Sequence, residues 1–193
     1  MILLTAIIAG LIAGFIRARW NQRKLNPLTL KYEWIVFAAF LPQIIAFQLP
    51  WTRTTLPDGW VRAALVSSQL FLLVFAWFNR KAPGFWLLGI GLALNFLVII
   101  LNGGLMPISP EVVSKYLPNA QDGTWTIGER LGATKDIVLN ISETRFWWLS
   151  DRFTLPDWIN YAVAFSFGDI LIWIGAFWLL WSLGAPRNSL QEI

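Results

Sequence analysis

The chain contains neither histidine nor cysteine. That double absence removes whole classes of chemistry. Haem, chlorophyll, zinc and copper sites in membranes mostly rest on His or Cys ligands. Iron–sulfur clusters and disulfides are excluded for the chain alone. Ser-His-Asp and Cys-His catalysis are excluded as well. No intrinsic cofactor is expected, although contact with a quinone or a pigment stays open. Charge is also scarce. Only 13% of the 193 residues are charged and 56% are hydrophobic, whereas soluble domains carry about 25% charged residues. No internal repeat and no low-complexity tail appears, and an odd number of apolar runs disfavours a simple inverted-repeat transporter.

What is present is apolar sequence in long blocks. Five runs approach the roughly 20 residues that cross about 30 Å of hydrocarbon. They cover about 1–20, 33–50, 61–78, 84–103 and 158–183. The expected fold is all-α: one integral membrane domain over 1–193, a bundle of five transmembrane helices. A long, partly helical extracytoplasmic segment fills about 104–157, between spans four and five. Span one lacks a basic leading region and carries its cations after the apolar run, so it does not read as a signal peptide. It contains Gly10-Leu-Ile-Ala-Gly14, a spacing that lets helices approach closely.

Loop charges set the orientation. Arg17, Arg19, Arg23, Lys24 and Lys31 follow span one; Arg80 and Lys81 precede span four; Arg187 follows span five. The opposite short loop holds Arg53 and Arg62. The richer side should be cytoplasmic, which puts the N-terminus outside and the C-terminus inside a cell (inner) membrane. The net charge of +4 is then a matter of topology, and no nucleic-acid partner is expected. The tryptophans agree, because Trp favours membrane interfaces. Trp20, Trp34, Trp77 and Trp86 fall at cytoplasmic ends, and Trp51, Trp60, Trp147 and Trp158 at outer ends.

In the outer segment, Ser109-Pro110-Glu111 reads as a helix start running to about Tyr116, before Pro118. A turn is expected at 119–123 and a second helix from Ser142 to Ser150. Within the spans, Asp169 is the one acid set deep in an apolar run. A carboxylate at bilayer depth costs roughly 2.5–3.5 kcal/mol on insertion scales, so it should pair, protonate or line a wet cavity. With the spans at equal depth, Asn95, Gln69 and Gln43 fall in the same layer. A buried polar network centred on Asp169 is expected, with Asn95 and Gln69 as partners. Such a network either glues helices together or forms a proton, ion or head-group site.

Three patterns carry a family resemblance: Asn102-Gly-Gly-Leu-Met-Pro107, Trp148-Leu-Ser-Asp-Arg-Phe-Thr-Leu-Pro156, and Phe165-Ser-Phe-Gly-Asp169. Together they resemble a family of small bacterial multi-pass membrane proteins known only as a domain of unknown function. That family has an NGG-x-MP element, an L-G-D…LP element and an S-I-G-D element in this order. Here Ser150 stands in place of the Gly and Phe167 in place of the Ile. The resemblance implies no activity. It directs attention to the outer end of span four, where Asn102, Gly103 and Gly104 form a helix exit. Asp151 should return to the same rim, giving an outer-face cluster of Asn102, Gly103, Gly104 and Asp151. The leading functional expectation is a non-catalytic membrane subunit or accessory protein. It would contact lipids and other membrane subunits of a respiratory, photosynthetic or assembly complex. A small proton- or ion-linked transporter using Asp169 and a lipid-modifying enzyme are the alternatives.

Overall fold

The computed structural model describes residues 2–117, 123–156, 158–159 and 162–186. Helices form where apolar residues run unbroken and stop at Asn, Gly or Pro. They are α1 Ile2–Trp20, α2 Trp34–Gln43, α3 Thr52–Thr55, α4 Asp58–Phe78, α5 Phe85–Leu101, α6 Pro110–Tyr116 and α7 Phe167–Ser182. Pro42 lies inside α2, where it supplies no backbone donor, and the helix passes into a π-helical turn at Ile44–Gln48. Leu3–Trp20 and Asp58–Phe78 are long and apolar enough to cross a membrane. Trp34–Gln48, Phe85–Leu101 and Phe167–Ser182 are apolar but shorter. At 1.5 Å per residue, the 16 residues of α7 reach about 24 Å.

The expected bundle is an open row. Extensive helix contacts run in the order α2–α4–α5–α7–α1. Small residues set the closest approaches. A Cβ at Gly14 would stand 2.5 Å from the Leu180 carbonyl oxygen, and one at Gly10 2.9 Å from Leu180 Cβ. The Gly10/Gly14 face of α1 is therefore the seam against α7. Likewise, a Cβ at Gly91 of α5 would stand 2.5 Å from the Gly168 carbonyl oxygen of α7.

Span five is corrected at its outer end. The regular helix begins at Phe167 and not near Trp158, because Ser166 caps it and Ala164–Phe165 is a strand. Strands are the main feature that the apolar pattern did not suggest. β1 (Met106–Ile108) pairs in parallel with β2 (Asp136–Val138), and β3 (Phe153–Thr154) pairs antiparallel with β4 (Ala164–Phe165). An isolated bridge joins Ile108 to Asp151. These short pairings weave the outer segment into a roof over the helix ends. One core cluster runs through both layers, joining Val61, Leu65, Val98 and Ile99 of the helices to Leu105, Met106 and Leu149 of the roof. A second fills the roof itself with Ile108, Val112, Val113, Leu131 and Val138.

The helix starting at Ser109 is present: Ser109 Oγ accepts from the Val112 N–H at 3.4 Å, and α6 runs to Tyr116. The helix expected over Ser142–Ser150 is instead two 3-10 turns, Ile141–Glu143 and Trp147–Leu149. They are separated by Phe146 at φ 54°, a left-handed residue that a helix cannot contain. Gly123 apart, the turn expected at 119–123 lies outside the described residues, as do Pro118 and Arg187.

Candidate functional site

The site is built around the start of α7. Ser166 is fully buried and is the N-cap residue. Its Oγ accepts from the Asp169 N–H at 3.0 Å, while Asp169 Oδ2 accepts from the Ser166 N–H at 3.0 Å. This reciprocal capping box satisfies two amides that a helix start would otherwise orphan. Asn95 of α5 closes the ring. Its Nδ2 donates to Asp169 Oδ1 at 2.9 Å, and its Oδ1 accepts from Ser166 Oγ at 2.8 Å. Gly168 makes this possible, because a Cβ there would collide with the Asn95 amide oxygen. The pattern Ser166-Phe-Gly-Asp169 thus has one local logic: a cap, a gap for Asn95, and a carboxylate that accepts from both sides.

This geometry moves Asp169 from the expected middle of a span to the first turn of α7, at the roof end of the helices. It also divides the expected polar layer. Gln43 Nε2 donates to Ser68 Oγ at 2.6 Å, in a separate α2–α4 contact. Gln69 is not joined to Asp169; its Oε1 is buried with no hydrogen-bond partner among the described residues. The reason is the order of the row, in which α5 stands between α4 and α7.

The helix exit of α5 is held by three contacts. Asn102 Nδ2 donates to the Val98 and Arg145 carbonyls at 2.7 and 2.9 Å, and Asn102 Oδ1 accepts from the Arg145 N–H at 2.9 Å. Gly103 and Gly104 turn the chain at φ 81° and 88°, a region that disfavours other residues. Arg62 of α4 donates to the Gly103 carbonyl at 2.5 Å. A cation there complements the negative end of the helix dipole.

Asp151 does not pair with Asn102, and the expected outer cluster is corrected in that respect. Asn102 is occupied by the loop at Arg145, whereas Asp151 is 1% exposed and its Oδ2 accepts from Lys135 Nζ at 2.5 Å. Lys135 also reaches Asp136 Oδ1 at 3.1 Å and keeps 42% of its side chain exposed. The Asp151 N–H donates to the Pro107 carbonyl at 3.1 Å, and the Met106 N–H to the Lys135 carbonyl at 3.0 Å. β1 therefore sits between β2, which Lys135 immediately precedes, and the segment that supplies the carboxyl. Burial pushes the Asp151 carboxyl up to about 8, against the opposing pull of the Lys135 ammonium. Partial loss of hydration around the Lys135 ammonium opposes its charge, but Asp136, Asp151 and Asp169 outweigh this and raise it above the ordinary lysine range. Asp169 acts electrostatically on both groups.

Lys135 and Asp136 are the site residues that sequence reading misses. Nothing local marks them, since their role depends on a parallel pairing across about thirty residues. Ser166 carried a readable signal, the S-x-x-D spacing of a capping box. Chemically, the roof offers a buried carboxyl, Asp151, whose Oδ1 has no hydrogen-bond partner among the described residues. Among the described residues, no group of three or more acidic side chains is placed to hold a metal ion.

The three sequence patterns converge here. Asn102-Gly-Gly-Leu-Met-Pro107 gives the α5 exit and β1, Asp151 receives Lys135, and Ser166-Phe-Gly-Asp169 caps α7. Comparison with known proteins matches the same region. An uncharacterized protein of Thermotoga maritima is 29% identical over 154 residues, covering 77% of this chain and 75% of that protein. No solved structure matches the chain. A family profile covers residues 27–181, from the segment after α1 to the end of α7, and the chain belongs to that family of unknown function, DUF5317.

Proposed function

We propose that the chain is a non-catalytic integral membrane subunit or accessory protein. It crosses the membrane five times, with the N-terminus and the roof outside and the C-terminus in the cytoplasm. It packs against lipid and other membrane subunits, and a respiratory, photosynthetic or assembly complex would suit it. The observation that carries this reading is the open row of helices. α1 and α2 end the row, and each leaves a large apolar face uncovered. Ile8, Ile12, Phe15 and Ile16 of α1 are about half exposed, and Phe37 of α2 is 76% exposed. Apolar faces this extensive need lipid or protein against them. The groove along α2 and α4, lined by Leu41, Pro42, Ile45, Trp60 and Ala63, is where a quinone-like or pigment tail would lie.

The alternatives have less support. An open row provides no closed wall for a path through one chain, and Asp169 is engaged on both oxygens. A lipid-modifying activity at Asp151 would need access that 1% exposure does not give.

The test is extraction of the natively expressed protein into polymer-bounded nanodiscs, followed by native mass spectrometry. The expected result is a complex of fixed stoichiometry containing further membrane subunits. A lone chain surrounded by lipid would contradict the reading.

A further inference from the structure

A second built feature lies at the opposite end of the helices from the roof. The segment after α1 has no helix or strand between Arg23 and Lys31, yet it is pinned at two points. The Asn26 N–H donates to the Leu183 carbonyl at 2.8 Å, and Asn26 Nδ2 to the Ala185 carbonyl at 2.9 Å. The Lys31 N–H donates to Asn79 Oδ1 at 2.7 Å, and Asn79 Nδ2 returns to the Lys31 carbonyl at 3.0 Å. Asn79 is buried at the end of α4. Between these clamps the segment lies as a strap beside the α4–α5 loop and the end of α7. It borders a half-open cavity of about 450 Å³.

The lining has two characters. Leu28, Leu30, Leu179 and Leu183 are apolar, while Asn26, Thr29, Lys81 and Ser182 are polar, and no carboxylate is among the described lining residues. The amides of Leu28, Thr29 and Leu30 make no hydrogen bond among the described residues. Arg23, Lys24, Lys31 and Arg80 flank the lining in sequence, and Glu33 is the one acid in 17–33 and 79–86. A cavity with a lining lysine, unpaired backbone amides on its lining residues, an apolar wall and no acid among its described lining residues complements an anion that carries a hydrocarbon tail. Basic pockets at the cytoplasmic ends of membrane helices have this chemistry.

We propose that this cavity holds the phosphate head group of an anionic lipid, with Lys81 meeting the phosphate and the leucines meeting the start of the acyl chains. The proposal rests on the reading that the chain crosses the membrane. A water-soluble phosphate would share the charge chemistry, but the leucine wall would serve no purpose for it.

The experiment uses the full chain in nanodiscs containing equal phosphatidylglycerol and phosphatidylcholine, with retained lipid counted by native mass spectrometry. Wild type should retain phosphatidylglycerol preferentially. Lys81→Glu should cut that preference by about fivefold or more, the size expected for a Lys at a membrane surface, and Lys81→Arg should keep it. Thr29→Glu, at an exposed lining position, should lower it as well without disturbing the clamps. Equal retention of the two lipids by wild type would overturn the proposal. So would an unchanged preference in both Lys81→Glu and Thr29→Glu with unaltered melting. Loss of bound phosphatidylglycerol to millimolar inorganic phosphate would assign the cavity to a soluble ligand and also overturn it. Failure of the protein to insert into lipid at all would remove the membrane reading beneath it, which is a different result from insertion without preference.

Discussion

Asp151 has lost almost all contact with water, and among the described residues its one side-chain partner is the Lys135 ammonium at 2.5 Å. A carboxyl whose pKa is raised by folding stabilises the fold while it is protonated. That contribution is complete below the ordinary aspartate range and is lost as pH rises through about 8. The raised Lys135 acts in a higher window, so it does not shape this one. Thermal midpoints in detergent should therefore fall between about pH 5 and 8, and Asp151→Asn should flatten that slope. A slope unchanged by the substitution would remove Asp151 as its source. At the neighbouring ring, Asp169→Leu removes the acceptor for both Asn95 and the Ser166 amide, and a loss of about 2 kcal/mol is expected. Asp169→Asn should cost less, since one oxygen acceptor remains. Equal stability of Asp169→Leu and wild type in reversible unfolding would show that the ring does not hold α7. The pairing of Asn95 with Asp169 is legible in sequence because both are polar residues in apolar runs. The depth of the pair is not, since an apolar run over 158–183 sets Asp169 near the middle of a span, whereas the helix begins only at Phe167 with Ser166 as its cap. Lys135 was invisible because only tertiary pairing brings it to Asp151.

The helices carry the same lesson. Five apolar runs are readable from composition, and each corresponds to an observed helix. Their outer boundaries are less readable. The 158–165 stretch is apolar enough to extend span five, but the pairing of β3 with β4 places its last residues in the roof. Neighbour choice is not encoded in hydropathy at all; it follows from where glycines remove side chains. Gly10 and Gly14 point to α7, and Gly91 and Gly168 face each other. Gly14→Leu should break the α1–α7 seam, because the added side chain meets backbone that cannot rotate away. After proteolytic cleavage at Arg23 or Lys24, wild-type α1 should stay associated and the Gly14→Leu helix should dissociate, as read by size-exclusion chromatography. Retention of the cleaved variant helix would place the binding energy elsewhere on α1. Gly91→Ala should lower the melting midpoint by an amount matching about 1–3 kcal/mol of overpacking.

Taken together, the chain is an open palisade of apolar helices roofed at one end by a small, ion-paired β segment and strapped at the other by basic loops. The short loops at the strap end are strongly basic, whereas the one short loop at the roof end holds only Arg53 and Arg62; cations in a long segment such as 104–157 count little, so the short loops are what the expected orientation rests on. The absence of cysteine makes this directly measurable, since any introduced cysteine is the only thiol in the chain. Single cysteines belong at Gly59 and Glu129 on the roof end and at Lys24 and Lys81 on the strap end, all exposed positions. A Cβ at Gly59 meets no atom within 4 Å, so that substitution leaves packing intact. In intact cells, a membrane-impermeant maleimide should label Gly59→Cys and Glu129→Cys and leave Lys24→Cys and Lys81→Cys unmodified until the membrane is permeabilised. Labelling of Lys24→Cys and Lys81→Cys in intact cells, with Gly59→Cys and Glu129→Cys protected, would invert the orientation. Protection or labelling of all four alike would contradict a chain that crosses the membrane between them.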